Sequence, residues 1–100
     1  MLTVQHRMRP AISLPVRQFY DQPIKDHKSV FGRESVIGLK KNIFFINHSM
    51  PEDRPRGAAY TSKVNKFETR YLVNFTKYLI KQRQFKPEQI TILSMYLGQM

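Results

Sequence analysis

Residues 2 to 5, LTVQ, alternate apolar and polar side chains, the period of a half-buried strand. Pro10 follows, with a fixed backbone angle suited to the first turn of a helix. In PAISLPVRQFY, Ile12, Val16, Phe19 and Tyr20 recur at helical spacing, but Pro15 removes a donor and crowds the preceding turn. A kinked or two-piece helix is expected there. From Asp21 to about Glu34 the chain is polar, basic and broken by Pro23 and Gly32, which predicts a surface excursion with little regular structure. VIGL, residues 36 to 39, adds an edge strand to the expectation, and NIFFINH, residues 42 to 48, reads as a central strand covered on both faces.

SMPEDRPRGAA, residues 49 to 59, holds two prolines, a glycine and four charges, and predicts a loop that is the most mobile segment of the chain. Asn65 followed by Glu68 matches a capping box, in which Asn65 accepts from a free helix amide and Glu68 reaches back to the cap. A long helix is therefore expected from about Lys66. Its apolar stripe is Phe67, Tyr71, Leu72, Phe75, Tyr78 and Leu79, a core-facing pattern, with Lys77, Lys81 and Arg83 toward the negative end of the helix dipole. Pro87 ends the linker, and ITILS, residues 90 to 94, predicts another buried strand with Ser94 and Tyr96 at its carboxyl end.

Strand, helix, strand, long helix, strand is an α/β order, and parallel sheets of this kind bind ligands at the carboxyl ends of their strands. Arg7 and Ser94 both follow predicted strands. A chain of 100 residues supports one core and buries about 60 to 65% of its unfolded surface. Its 41% hydrophobic and 12% aromatic content is that of a globular chain.

Net charge changes the picture more than length does. The chain carries +10, from 17 basic and 7 acidic residues, divided evenly between its halves. Such a field attracts polyanions, so nucleic acid or nucleotide phosphate is the leading partner class, beside the plainer reading of a soluble basic surface. Apolar runs such as IFFI are far shorter than the roughly 18 residues of a membrane span, and Arg7 and Arg9 interrupt any signal-peptide core. A soluble, intracellular protein, cytoplasmic or nuclear, with no membrane partner is expected. With no cysteine and only His6, His27 and His48, neither a disulfide framework nor a zinc site is expected, and no metal ligand is assigned.

LTVQHRMRPAIS resembles motif IV of superfamily 1 helicases, in the branch containing the nonsense-mediated-decay helicase and senataxin. That pattern is Gln, an aromatic residue or His, Arg, Met, a basic residue, Pro. FINH, NKFE and ITILSMYLGQ resemble the next three landmarks of the same domain, in the same order. Arg9 stands where the branch usually has His, and DHKSVF with NIFFINH is most similar to the NFX-type zinc-finger helicases linked to RNA silencing. The segment after Pro10 is about a residue shorter than the common pattern and carries Pro15. No GxxxxGK[ST] loop, acidic magnesium-binding motif or later Gln-Gly-Glu motif is present.

The resemblance implies the N-terminal half of the second RecA-like domain, residues 1 to 100, as a partial parallel sheet of the P-loop NTPase type with flanking helices. It implies a parent that is an ATP-dependent helicase acting on single-stranded RNA or DNA. ATP and Mg²⁺ would be bound mainly by a first RecA-like domain, and this segment alone would catalyse nothing. Arg7 would be the catalytic arginine, with Gln5 and His6 orienting it or lining the nucleotide; the plainer alternative for Arg7 is an exposed strand-end charge. Arg9 is either a phosphate or nucleic-acid contact or a solvated charge at a helix start. Ser94, Tyr96 and Gln99 would contact the single strand, with Tyr96 equally open to a packing role. Lys40, Lys41 and Lys63 read as ordinary solvated charges. Two rival readings are a degenerate, non-catalytic nucleic-acid-binding module and an unrelated basic α/β structural protein.

Overall fold

The computed structural model describes residues 3–53 and 62–99. Leu2 of the first predicted strand and residues 54 to 59 of the predicted loop lie outside them. The chain divides into two compact units, Met1–Phe45 and Ile46–Met100.

In the first unit, strand β1 (Val4–Gln5) leads into helix α1 (Pro10–Arg17) and then strand β2 (Lys25–Asp26). The strands pair in parallel, Val4 opposite Lys25 and Gln5 opposite Asp26. The Lys25 amide donates to the Thr3 carbonyl at 2.8 Å and the His27 amide to the Gln5 carbonyl at 2.9 Å. This is a small strand–helix–strand unit. Pro10 opens α1 as the sequence predicts, but the helix is one eight-residue segment rather than two pieces. Pro15 lies so close to its end that the donor it lacks would have served only the carbonyl of Ala11. Strand β2 lies inside the stretch expected to be irregular. The Asp26 side chain in it is satisfied by partners that local composition does not reveal.

A short 3₁₀ turn, Lys28–Val30, follows β2 and is capped by the His27 ring, whose Nδ1 accepts from the Ser29 amide at 3.2 Å. Val30 in this turn is completely buried. It is the one buried apolar side chain among the described residues.

In the second unit, helix α2 (Lys66–Lys81) starts at the expected place. The Asn65 Oδ1 accepts from the amides of Phe67 at 3.0 Å and Glu68 at 3.2 Å, while Asp53 Oδ2 accepts from Lys66 N at 2.7 Å. Three of the first amides are thereby satisfied within the chain. Arg83, just past the helix, has φ 59°, the left-handed conformation with which helices commonly end and which Gly adopts more readily. Two 3₁₀ turns, Pro87–Gln89 and Leu97–Gln99, complete the unit.

Three predicted strands do not form: residues 36 to 39 hold a turn, with Gly38 at φ 84°, and neither 42 to 48 nor 90 to 94 joins a ladder. The stripe on α2 is not buried either, since Phe67, Tyr71, Leu72 and Tyr78 remain exposed. The physical reason is common to all of these segments. A strand requires a neighbouring chain to complete its hydrogen bonds, and a helix stripe requires a face to pack on; periodicity specifies only the need. Leu93, Met95 and Leu97 are accordingly 88%, 94% and 84% exposed.

Candidate nucleotide and nucleic-acid contacts

The turn from β1 into α1 is organised by one side chain. Gln5 Oε1 accepts from the backbone amides of Arg7 at 3.0 Å and Met8 at 2.7 Å. Its Nε2 donates to the Met8 carbonyl and to Asp26 Oδ1, each at 2.6 Å. The Gln5 carboxamide is thus saturated inside the chain and serves to shape the backbone that carries Arg7.

Asp26 is held from three sides. Besides Gln5, the Ser13 hydroxyl donates to Oδ1 at 2.8 Å, and Arg17 Nη2 forms an ion pair with Oδ2 while also donating to Ser13 Oγ at 3.1 Å. The Asp26 side chain is only 4% exposed. The Gln5 hydrogen bond is the strongest influence on its carboxyl; burial opposes ionisation, and Ser13 and Arg17 favour it, so the group titrates below its ordinary value of 3.8.

The flanking basic residues differ in how they are held. His6 stacks on His27 with ring centroids 4.0 Å apart, and its carbonyl accepts from Arg33 Nη2 at 3.3 Å. Arg9 Nη2 donates to the Glu34 carbonyl at 2.8 Å, so its fork is partly engaged. Arg7 is exposed, and its guanidinium has no partner among the described residues. The structure therefore brings Gln5, His6, Arg7 and Arg9 into one turn but leaves only the Arg7 head group uncommitted.

The second candidate segment is in the other unit. The Ser94 hydroxyl donates to the Tyr96 carbonyl at 3.0 Å and accepts from the Tyr96 amide at 3.3 Å, closing a local turn. Tyr96 is 46% exposed, with Lys63 Nζ 5.9 Å from its ring centroid. Gln99 is turned inward: its Oε1 accepts from Asn65 N at 2.6 Å and its Nε2 donates to the Asn65 carbonyl at 2.9 Å. In the expected capping box Glu68 would satisfy the cap amide. Gln99 does so instead, and Glu68 Oε1 pairs with His48 Nε2 at 3.0 Å. A groove of about 810 Å³ runs beside α2, lined among others by Thr69, Leu72, Ile92, Ser94 and Tyr96.

Sequence reasoning missed Ser13, Arg17, Asp26 and Arg33. The one local signal was the spacing of Ser13 and Arg17, four residues apart on one helix face. Asp26 lay in a polar stretch with nothing to distinguish it. Among the described residues, no group of three or more His, Asp or Glu is placed to hold a metal, and no helix is long and apolar enough to cross a membrane.

A parallel strand–helix–strand unit with an exposed arginine beyond its first strand is the kind of element from which nucleotide-driven motors are built. The chain belongs to the family described as an AAA domain, whose model matches residues 1–100, and it is part of a superfamily 1 helicase-like domain. It is 36% identical over 99 residues to the NFX1-type zinc finger-containing protein 1 of Mus musculus and 35% identical over 99 residues to that of Homo sapiens, in each case covering 99% of this chain and 5% of the relative. It is also 35% identical over 99 residues to the "Helicase required for RNAi-mediated heterochromatin assembly 1" of Schizosaccharomyces pombe, covering 98% of this chain and 9% of that protein. The chain thus spans less than a tenth of the length of these curated relatives. No solved structure matches it.

Proposed function

We propose that these residues form the N-terminal half of the second RecA-like domain of an ATP-driven helicase that translocates on single-stranded RNA or DNA, in RNA silencing or RNA surveillance within the cytoplasm or nucleus. The observation that carries the reading is the Arg7 guanidinium, exposed and without a partner among the described residues, on a turn whose backbone is held by Gln5. Negative charge spreads over the γ-phosphate oxygens as a nucleoside triphosphate is hydrolysed, and an arginine supplied from a second domain stabilises it, contributing roughly 10³ to 10⁵ in rate. A preset backbone and a free fork suit that task.

ATP would contribute the phosphoryl group and Mg²⁺ the neutralising charge on its phosphates. The Arg7 guanidinium, without a partner among the described residues, has donors that fit a phosphate oxygen, whereas the Asp26 carboxylate is already occupied by three donors. In this reading metal coordination belongs to the first RecA-like domain. Tyr96, with Ser94 shaping its turn, would present an aromatic face to the single strand, and Gln99 would act by holding that segment to the start of α2.

The test is Arg7→Ala in the intact protein. ATP turnover should fall at least roughly a hundredfold with nucleotide affinity nearly unchanged, and Arg7→Lys should restore little, since an ammonium lacks the fork. Turnover within about threefold of the unsubstituted protein would remove Arg7 from the reaction.

A further inference from the structure

Gln5 and Asp26 are register partners on adjacent parallel strands, so their side chains stand on one face of the small sheet. A glutamine carboxamide can be turned end for end, exchanging its oxygen and its NH₂ group. Here the orientation has consequences, because Oε1 must face the amides of Arg7 and Met8 to accept from both. A flipped amide would set two donors against two donors. An ionised carboxylate only accepts, and Asp26 Oδ1 lies 2.6 Å from Gln5 Nε2, so it admits only the NH₂ end. The Ser13 hydroxyl and the Arg17 guanidinium bind the same carboxylate, and both favour its charged state.

We propose that Asp26 is a positioning residue for Arg7: its carboxylate fixes the Gln5 carboxamide, which fixes the backbone amides of Arg7 and Met8 and so aims the Arg7 guanidinium. Ser13 and Arg17 hold the carboxylate in place. The device couples β2 to the end of β1 through side chains alone, and it rests on the reading of Arg7 given above. Its predicted signature is catalytic, because a displacement of the arginine by about 1 Å costs on the order of a hundredfold in rate without altering ground-state binding.

The experiment is a double-mutant cycle in the intact protein, reading kcat and KM for ATP and single-strand affinity. Asp26→Ala and, separately, Gln5→Met should each lower kcat by about tenfold to a hundredfold at unchanged KM, and neither should lower it further in an Arg7→Ala background. Gln5→Met leaves the Asp26, Ser13 and Arg17 contacts intact and so tests the relay without removing the ion pair. If Asp26→Ala does not fold, judged by lost single-strand affinity, Asp26→Asn replaces it, with an expected loss of about threefold to tenfold from a weaker neutral acceptor. A kcat within twofold for the Asp26 variant, or losses that multiply with that of Arg7→Ala, would overturn the relay while leaving Arg7 in its role. An Arg7→Ala variant with undiminished turnover would instead overturn the reading beneath it.

Discussion

Gln99 clasps the backbone of Asn65 with both ends of its carboxamide, accepting from the amide at 2.6 Å and donating to the carbonyl at 2.9 Å, across 34 residues of sequence. The residue that caps α2 with its side chain is itself capped through its backbone. The beginning of the helix and the segment carrying Ser94 and Tyr96 are therefore one mechanical piece, reinforced by the Gly98 amide donating to Ser62 Oγ at 2.7 Å.

Gln99→Leu should loosen both ends of that piece. Asn65 is 6% exposed, so its amide would lose its partner without regaining water, at a cost of about 1–3 kcal/mol. Gly98→Ala should act in the same direction, because a Cβ there would lie 2.8 Å from Val64 Cγ2 and 3.0 Å from Ser62 Oγ. Amide hydrogen exchange in the intact protein should show faster exchange at Asn65 and the first turn of α2 in both variants. Unchanged protection would mean that the helix start is held by Asn65 Oδ1 and Asp53 alone.

Tyr96→Ala should weaken single-strand binding by about 1–3 kcal/mol, the range for one stacked base. The slope of affinity against salt should stay the same, because no charge is removed. Fluorescence anisotropy with a labelled oligonucleotide at two salt concentrations checks both. Unchanged affinity would confine Tyr96 to its contact with Lys63.

Asp26 gives the first unit a pH dependence of definite sign. Its carboxyl titrates below the ordinary 3.8 in the folded chain, chiefly through Gln5, so the folded state binds this proton less readily than the unfolded one. The stabilisation is complete above 3.8 and is lost as pH falls through the lower folded value. Protection of the Lys25 and His27 amides, which donate to β1, should accordingly decline below pH 3.8. Asp26→Asn should remove that part of the decline; an identical profile in the variant would assign it to other carboxylates.

Residues 1 to 100 expressed alone should be marginal. Val30 is the one buried apolar side chain among the described residues, while Phe67, Tyr71, Leu72 and Tyr78 on α2 and residues 93, 95 and 97 are exposed. Little apolar area is removed from water to offset chain entropy. Circular dichroism should show helix without a cooperative melt, together with binding of a hydrophobic dye. A sharp transition above about 60 °C, the upper range of ordinary mesophile domains, would contradict this.

What the sequence determined by itself is what depends on near neighbours. The start of α2, the Asn65 side-chain cap and the role of Pro10 as a helix opener are decided within a few residues, because helix hydrogen bonds and caps close over that distance. The motif around Gln5 and Arg7 is equally local, and so the family could be read from it. Tertiary structure decided the rest. It selected Gln99 over Glu68 as the partner of the Asn65 amide, made a strand of Lys25–Asp26 in a stretch that reads as loop, and gave Asp26 its place beside Gln5. It also left NIFFINH and ITILS outside any ladder. Those outcomes turn on bonds between residues 21 to 34 positions apart, or on the lack of a neighbouring strand, and the period of a pattern specifies which face a residue occupies but not what meets it there.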